Sequence, residues 1–580
     1  MRLAIIEAMK EAVIVLIFAF MSQASLWPAT PGDSDFNGLA DRFFHEVAMH
    51  FDPAQATAWG FHEYDKQLPS SSHGEIQAEI DALHKWESQV QNVEPRGLSP
   101  SVAADRELML AQIRGELLSL ETIRGWEKNP DNYSSSVTNA IFVIMSRNFA
   151  PPEQRLQSVI AREKAIPRVF QSARENLKSP PRVYTEVALE QLPGIVSFFQ
   201  HDVPEAFRKV TDPRLTSEFK QTNQAVIDAL NSYQSWMKSD LLPRSNGDFR
   251  IGPETYRKKL LYDEMVDIPL DRLLEIGYQD LHRNQETFKR VAAQIDPKRT
   301  PQQILQELEA DHPAAGKLLE SFRGVLGGLR DFIEQHHIVT IPSPVLPIVE
   351  ETPPFERALT TASMETPGPY ENVAKEAFFN VTLPEPNWPA KEVQEYLEGF
   401  NRGTIISTAT HEVYPGHYTQ FLWMKRVPTM TRKLMGCSSN AEGWAHYSEQ
   451  MMLDEGYGNG DPKLRLGQLQ DALLRDARYI AGIQMHTGKM TVDQAREFFV
   501  KEGYQVPPVA DKEAKRGTSD PTYLVYTLGK LEILKLREDY KKMKGSQFTL
   551  ESFHDAFLAQ GFPPIKIVRR ALLGNDSPVL

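Results

Sequence analysis

The sequence predicts a mostly α-helical protein with one small β-sheet. Two observations carry that reading. Over most of the chain apolar residues recur at i, i+3, i+4 and i+7, the period of a helix with one buried face. One stretch near the middle breaks that period with proline, threonine and β-branched residues, the signature of short strands and loops. From Phe36 to about His336 the helical period dominates. EIQAEIDALHKWESQV (75–90), DRLLEIGYQDLHRNQETFKRVAAQI (271–295) and QQILQELEADHPAAGKLLESFRGVLGGLRDFIEQ (302–335) all show it, with short Pro- and Gly-bearing breaks between helices. The change comes at Ile338, in IVTIPSPVLPIVEETPPFERALTTASMETPGPYENVAKEAFFNVTLPEP. Helices return from Lys391 and run to the end, where LESFHDAFLAQG reads as a helix stopped at Gly561. The chain thus divides into a leader (1–24), a helical N-terminal region (25–335), a strand- and loop-rich segment (336–390) and a final helical region (391–580). Residues 336–580 read as one catalytic half.

The leader has Arg2 and Lys10, then an apolar run from Ala12 to Met21, then Ser22-Gln23-Ala24. Ten apolar residues span about 15 Å as a helix, half of the roughly 30 Å bilayer core. A signal peptide cut after Ala24 fits better than a membrane span, and it implies a periplasmic or secreted protein. Glu7 and Glu11 weaken the positive region, which leaves an uncleaved anchor as the second reading. No cysteine stands at the cleavage position, so lipid attachment there is excluded. No other stretch is long and apolar enough to cross a membrane.

At 580 residues and 41% hydrophobic, the chain can bury a substantial core. A net charge of −13 argues against a nucleic-acid surface, which needs clustered Lys and Arg. With Cys437 as its one cysteine, the chain can form neither an intramolecular disulfide nor a cysteine-based metal site.

The chemistry concentrates in the string HEVYPGH. Between Arg402 and Lys425 a single side chain is charged, that of Glu412, and it stands between His411 and His417. Neutral imidazoles bind Zn²⁺, and an adjacent carboxylate can take a proton from water whose pKa the ion has lowered to roughly 7. An unpaired carboxylate in so apolar a run is costly, and a metal-bound water would give it a partner. The spacing is unusual. The common signature H-E-x-x-H places both rings one turn apart on one face, whereas six residues of regular helix rotate by about 600° and leave the rings about 120° apart. Pro415 removes a helical hydrogen bond, so a kink or bulge is expected, with Pro-Gly as an insertion that swings His417 back toward His411. The bland alternative is a helix ending at Tyr414, with His411 capping and His417 in solvent.

A third ligand is sought in SSNAEGWAHYSEQ, where a helix starts at Ser439 or Asn440 and puts Glu442, His446 and Glu449 on one face. Glu442, nearest the helix start, is the candidate ligand. Ser439-x-x-Glu442 is equally a capping box. His446 and Glu449 are either groups that orient a ligand or part of a solvated face.

HEVYPGHYTQ, EGWAHYSEQM, RDARYIAGIQMHTGKMTVDQA and DPTYLVYTLGKLEILKLR together resemble the bacterial domain-of-unknown-function family 885 (DUF885), most strongly from Ala374 to Arg537. That family is itself similar to gluzincin-type zinc metallopeptidases, which use two histidines on one helix and a glutamate on a second. The resemblance implies a gluzincin-like helical architecture with a deep cleft. It also implies one zinc ion per chain on His411, His417 and Glu442, with Glu412 as general base.

Amide hydrolysis passes through an oxyanion that needs donors besides the metal. Tyr523 and Tyr526 are candidates, and Tyr526 is preferred because gluzincin-like enzymes commonly use a tyrosine. Arg478, His486 and Arg516 are candidates for holding a substrate carboxylate or carbonyl, and ordinary structural roles are open to each. The expected function is zinc-dependent cleavage of amide bonds in short peptides. A zinc amidase on a non-peptide or cell-wall-derived amide is the alternative. A helical binding protein with a structural or vestigial metal site is the third reading, and it leaves the presence of Glu412 without a purpose.

Overall fold

The computed structural model of the chain describes residues 30–580 apart from 354–355, 358–359 and 386–387; the expected leader, 1–24, lies outside them. The chain is mostly helical, as its periodicity predicts. Helix α1 (His73–Gln91) starts at a capping box, in which Ser72 and Glu75 each satisfy the other's free amide. It pairs with α2 (Pro100–Leu117), and Ile80, Leu83, Leu108 and Met109 lie in their shared core. A second core forms where α3 (Asp131–Met145), α4 (Pro152–Asn176) and α5 (Pro213–Trp236) meet around Ile141, Ile166, Phe170 and Tyr233.

Helices α6 (Gly252–Asp263) and α7 (Leu270–Ile295) follow. The stretch 302–335 is two helices, not one. The first is Pro301–Ala310 and the second is α8 (Leu318–Gln335), broken where Pro313 and the following short turn cannot continue the ladder.

The predicted strand-rich segment holds β1 (Ile348–Glu351), β2 (Ala362–Glu365) and β3 (Phe378–Val381). Their order is β1-β3-β2, with β3 parallel to β1 and antiparallel to β2. Strand β2 is therefore an edge strand. Beyond the sheet come α9 (Arg402–Glu412), α10 (His417–Met424), α11 (Ser438–Asp454), α12 (Pro462–His486), α13 (Pro507–Ser519) and α14 (Val525–Lys544). The helix expected before Gly561 ends at Leu558, and Gly561 adopts φ +80° three residues on.

Packing does not divide at residue 335. Helix α7 lies along α12, where Leu281 and Phe288 share a core with Leu473 and Ile480. Helix α8 packs on β1, β3 and α9 through Phe322, Phe379 and Phe400. Helices α11 and α14 cross in backbone contact: a side chain at Gly443 would come within 2.5 Å of Gly529. That approach fixes the start of α14 beside the start of α11, and so places Tyr526 close to Glu442.

Candidate metal centre

Helix α9 is capped by Asn401, whose side chain accepts from the amides of Gly403 (2.9 Å) and Thr404 (3.1 Å). It ends at Glu412, and α10 begins at His417 after a four-residue reversal. The expected kink within one helix is thus a break between two. The break does not release His417 to solvent. His417 is 9% exposed, and its ring centroid lies 4.8 Å from that of His411 at 87°. Gly416 makes the reversal compatible with packing. Its amide donates to the Thr410 carbonyl at 3.0 Å, and a Cβ there would fall 1.8 Å from the carbonyl oxygen of His411.

Nε2 of His411 and Nε2 of His417 each lie 3.3 Å from Oε2 of Glu442. Neither approach has hydrogen-bond geometry, and that oxygen is buried without a hydrogen-bond partner among the described residues. Three lone-pair atoms therefore converge on one point. Ligands about 2.0–2.1 Å from a tetrahedral zinc ion stand about 3.3–3.4 Å apart. The His₂Glu set fits that ion in chemistry, and both histidine–Glu442 separations match its spacing. Burial raises the Glu442 carboxyl, but the His417 and His411 imidazoles outweigh it and hold the group well below the usual range. The capping-box alternative is absent. Helix α11 starts at Ser438 with no side-chain cap, and the Ser439 amide donates instead to Oε2 of Glu264, at 2.9 Å.

Glu449, two turns along α11, binds the back of the site. Its Oε1 is 2.7 Å from Nδ1 of His411 and 3.2 Å from Arg475, and its Oε2 is 3.0 Å from Nδ1 of His446. Glu449 is 2% exposed. Despite burial, Arg475 and the histidines keep its carboxyl far below its ordinary pKa. Arg475 is held in turn by Asp471 at 3.4 Å. A carboxylate on Nδ1 fixes the tautomer that leaves Nε2 free to ligate.

The triad opens into a cavity of about 640 Å³ that Glu412, Tyr526, Arg475, Arg478 and Arg516 also line. Glu412 has no ion pair or hydrogen bond from its side chain among the described residues. Burial raises its pKa, partly offset by His411 and His417. The Tyr526 ring is stacked on His411 at 6.2 Å, and its hydroxyl is 3.2 Å from Arg516. Arg478 lies 4.8 Å over the same ring and is clamped by both oxygens of Glu513 at 2.6 and 2.7 Å. Residues Thr360 to Met364, the approach to β2 and most of the strand, form one wall.

Two candidates lie elsewhere. Tyr523 is fully buried in a core with Ala477, Met485 and Phe499, its ring against Gly482 and Gly517. Three residues of helix separate it from Tyr526 only nominally, because α14 begins at Val525 and Tyr523 precedes it. His486 donates to or accepts at no cavity group here: its Nε2 is 2.8 Å from the Gly517 carbonyl, and the residue borders a different, larger cavity.

Residues 53–572 match the family described as "Bacterial protein of unknown function (DUF885)". The chain belongs to that family. A protein from Shewanella oneidensis, described as a "putative lipoprotein of unknown function", is similar to it over 93% of this chain and 99% of its own, with 27% identity and a TM-score of 0.75. A "putative lipoprotein" from Colwellia psychrerythraea shares the fold, with 17% identity, a TM-score of 0.73, and 93% and 98% of the two chains covered. No curated protein matches.

In this family member, sequence reasoning passed over Arg475 and Lys512, both of which line the cavity. Arg475 was legible in principle. It stands one helical turn before Arg478 in RDAR, so the two share a face of α12. Lys512 lies in a charged stretch, ADKEAKR, where nothing in the pattern separates it from its neighbours.

Proposed function

We propose that this protein is a zinc-dependent hydrolase of gluzincin-like architecture that cleaves amide bonds in short peptides, with Glu412 as general base. The observation that carries the reading is Glu412 itself, a buried carboxylate without an ion pair among the described residues, beside three convergent ligand atoms. Zinc, when bound, would polarise the scissile carbonyl and make a water acidic enough to be deprotonated near neutral pH.

Glu412 takes the water's proton and returns it to the leaving nitrogen. Burial raises the Tyr526 hydroxyl, against the pull of Arg516, which keeps it protonated and able to donate to an oxygen that gains negative charge. The unpaired edge of β2 offers backbone donors and acceptors to an extended peptide.

The protein works outside the cytoplasm. The lipoprotein descriptions of the two similar structures support that address, as does the leader. The test is hydrolysis of a defined peptide mixture by zinc-loaded protein, followed by mass spectrometry, with Glu412→Gln alongside. Turnover should fall by ~10² or more in the variant while zinc stays bound. Equal turnover in the two, or no cleavage by the wild type, sinks the proposal.

A further inference from the structure

We propose that Lys512 and Arg516 receive the C-terminal carboxylate of the substrate, so that the protein is an exopeptidase acting from the C-terminal end; this rests on reading the site as a peptidase. Four cations line the cavity, and two of them are already committed. Arg475 is spent on Glu449 and Asp471. Arg478 gives both Nε and an amino group to Glu513.

The other two have donors to spare. Lys512 has no carboxylate within ion-pair distance among the described residues, and its one hydrogen bond is a long contact, 3.4 Å, to the Arg357 carbonyl. Burial lowers its pKa, which the nearby acids offset only in part, so a bound anion would stabilise it. Arg516 shares one amino group between Asp520 (3.3 Å) and Tyr526 (3.2 Å), and its Nε and second amino group have no partner among the described residues. The two stand at i and i+4 on α13, and so on one face. Two adjacent cations with unfilled donors form a site for one carboxylate.

The position of the pair gives the cleavage direction. Arg516 touches Tyr526, which stacks on His411, so the cations lie on one side of the metal centre. A larger cavity, about 1150 Å³, adjoins the first through Met364, Phe421 and Ala441, continues past the end of β2 and also reaches Ser519 and Asp520 at the end of α13. The bulk of a peptide fits there, and its last residue or residues reach toward α13. A cavity of about 710 Å³ continues beyond Lys512, so the cations and not a wall set the limit. Hydrolysis then breaks the amide C–N bond. The water's oxygen goes to the acyl carbon of the longer piece, and its proton goes through Glu412 to the nitrogen of the piece held by Lys512 and Arg516.

The opposite polarity would need a carboxylate for the substrate's α-amine. Of the cavity acids outside the metal centre, Asp471 and Glu513 pair with arginines and Asp131 accepts from Ser134 and Ser135, which leaves Glu356. Burial, with Glu365 nearby, pushes it up to about 7, which makes it a poor anchor at neutral pH.

Binding and cleavage test this together. Trialanine, its C-terminal amide and its N-acetyl form are titrated calorimetrically into the zinc-loaded Glu412→Gln protein. The free acid and the N-acetyl acid should bind alike, and the amide at least ten-fold more weakly. Adding Lys512→Met should bring the acid down toward the amide, in a protein whose melting curve shows it folded. Equal binding of acid and amide overturns the proposal, as does a loss caused by N-acetylation. With wild-type protein, an N-blocked decapeptide should shorten stepwise from its C-terminus. Internal cleavage of the amidated decapeptide overturns the exopeptidase reading and leaves the peptidase standing. Carboxylate-dependent binding with no hydrolysis of any peptide overturns the hydrolase reading instead.

Discussion

Nδ1 of His411 lies 2.7 Å from Oε1 of Glu449, on the far side of the ring from the nitrogen that faces Glu442. One helix, α11, therefore supplies both a ligand oxygen and the group that aims a histidine at the same point. Seven residues, two turns, separate them. Replacing Glu449 by Gln keeps a polar group at Nδ1 but removes the charge that orders it. Zinc affinity should fall about 10- to 100-fold, with binding retained at high zinc. Competition with a chelator of known affinity measures it. Unchanged affinity would reduce Glu449 to a buried partner for Arg475.

Glu442→Gln should act on the metal directly. It removes a charged oxygen donor, so zinc affinity and turnover should drop together. A helix cap lost at that position would cost about 1 kcal/mol of stability and leave the metal alone, but α11 has no such cap to lose. A zinc titration and a melting curve on the same variant distinguish the two. Normal affinity with a lowered melting temperature is the outcome that contradicts the assignment.

Gly416→Ala tests the reversal between α9 and α10. The added methyl would meet the carbonyls of His411 and Thr410 at 1.8 and 2.4 Å, both backbone atoms that cannot turn aside. The reversal must open, and His417 moves with it. Stability should fall by about 1–3 kcal/mol, and zinc per chain should fall well below one by elemental analysis. Full zinc occupancy in a folded variant would mean that the two histidines tolerate a different separation.

Glu163 gives a pH dependence remote from the site. Its side chain is buried, and Thr222 donates to one oxygen while the other has no hydrogen-bond partner among the described residues. Burial pushes its pKa from 4.5 up to about 8, with the Thr222 bond opposing. The folded state favours the protonated form, so this contribution is complete below pH about 4.5 and is lost as pH climbs to about 8. Glu163→Gln keeps the Thr222 bond and cannot ionise. Its melting temperature should rise relative to wild type between pH 5 and pH 8, and the two should converge in acid. A constant offset across that range would remove Glu163 as the cause.

The helices were legible because their apolar faces recur at the helical period, as in 271–295, which forms α7 almost to the residue. The strands were legible as a region but not as a sheet. Pairing β1 parallel to β3 across β2's sequence depends on what the sheet packs against, and period alone does not carry that. At the site, His411, His417 and Glu442 could be picked out because charged and imidazole groups stand out in an apolar run. The break after Glu412 was not, since Pro415 predicts a disturbance without saying whether one helix bends or two meet. Tyr523 misled because its spacing from Tyr526 assumes a helix that begins two residues later. Lys512 was hidden among other charges, and only the fold shows which of them faces the cavity.

The bond from the Ser439 amide to Glu264 ties the start of α11 to a residue made 175 positions earlier. Synthesis runs from the N-terminus, so Glu264 exists before Glu442 does. Helix α7, against which α12 packs, is likewise early. The candidate ligands His411, His417 and Glu442 thus follow part of their support in the chain, and α12 and α14 follow them. An unfinished chain carries Glu264 and α7 without the three convergent side chains, whose helix α11 is anchored only once Ser439 reaches Glu264.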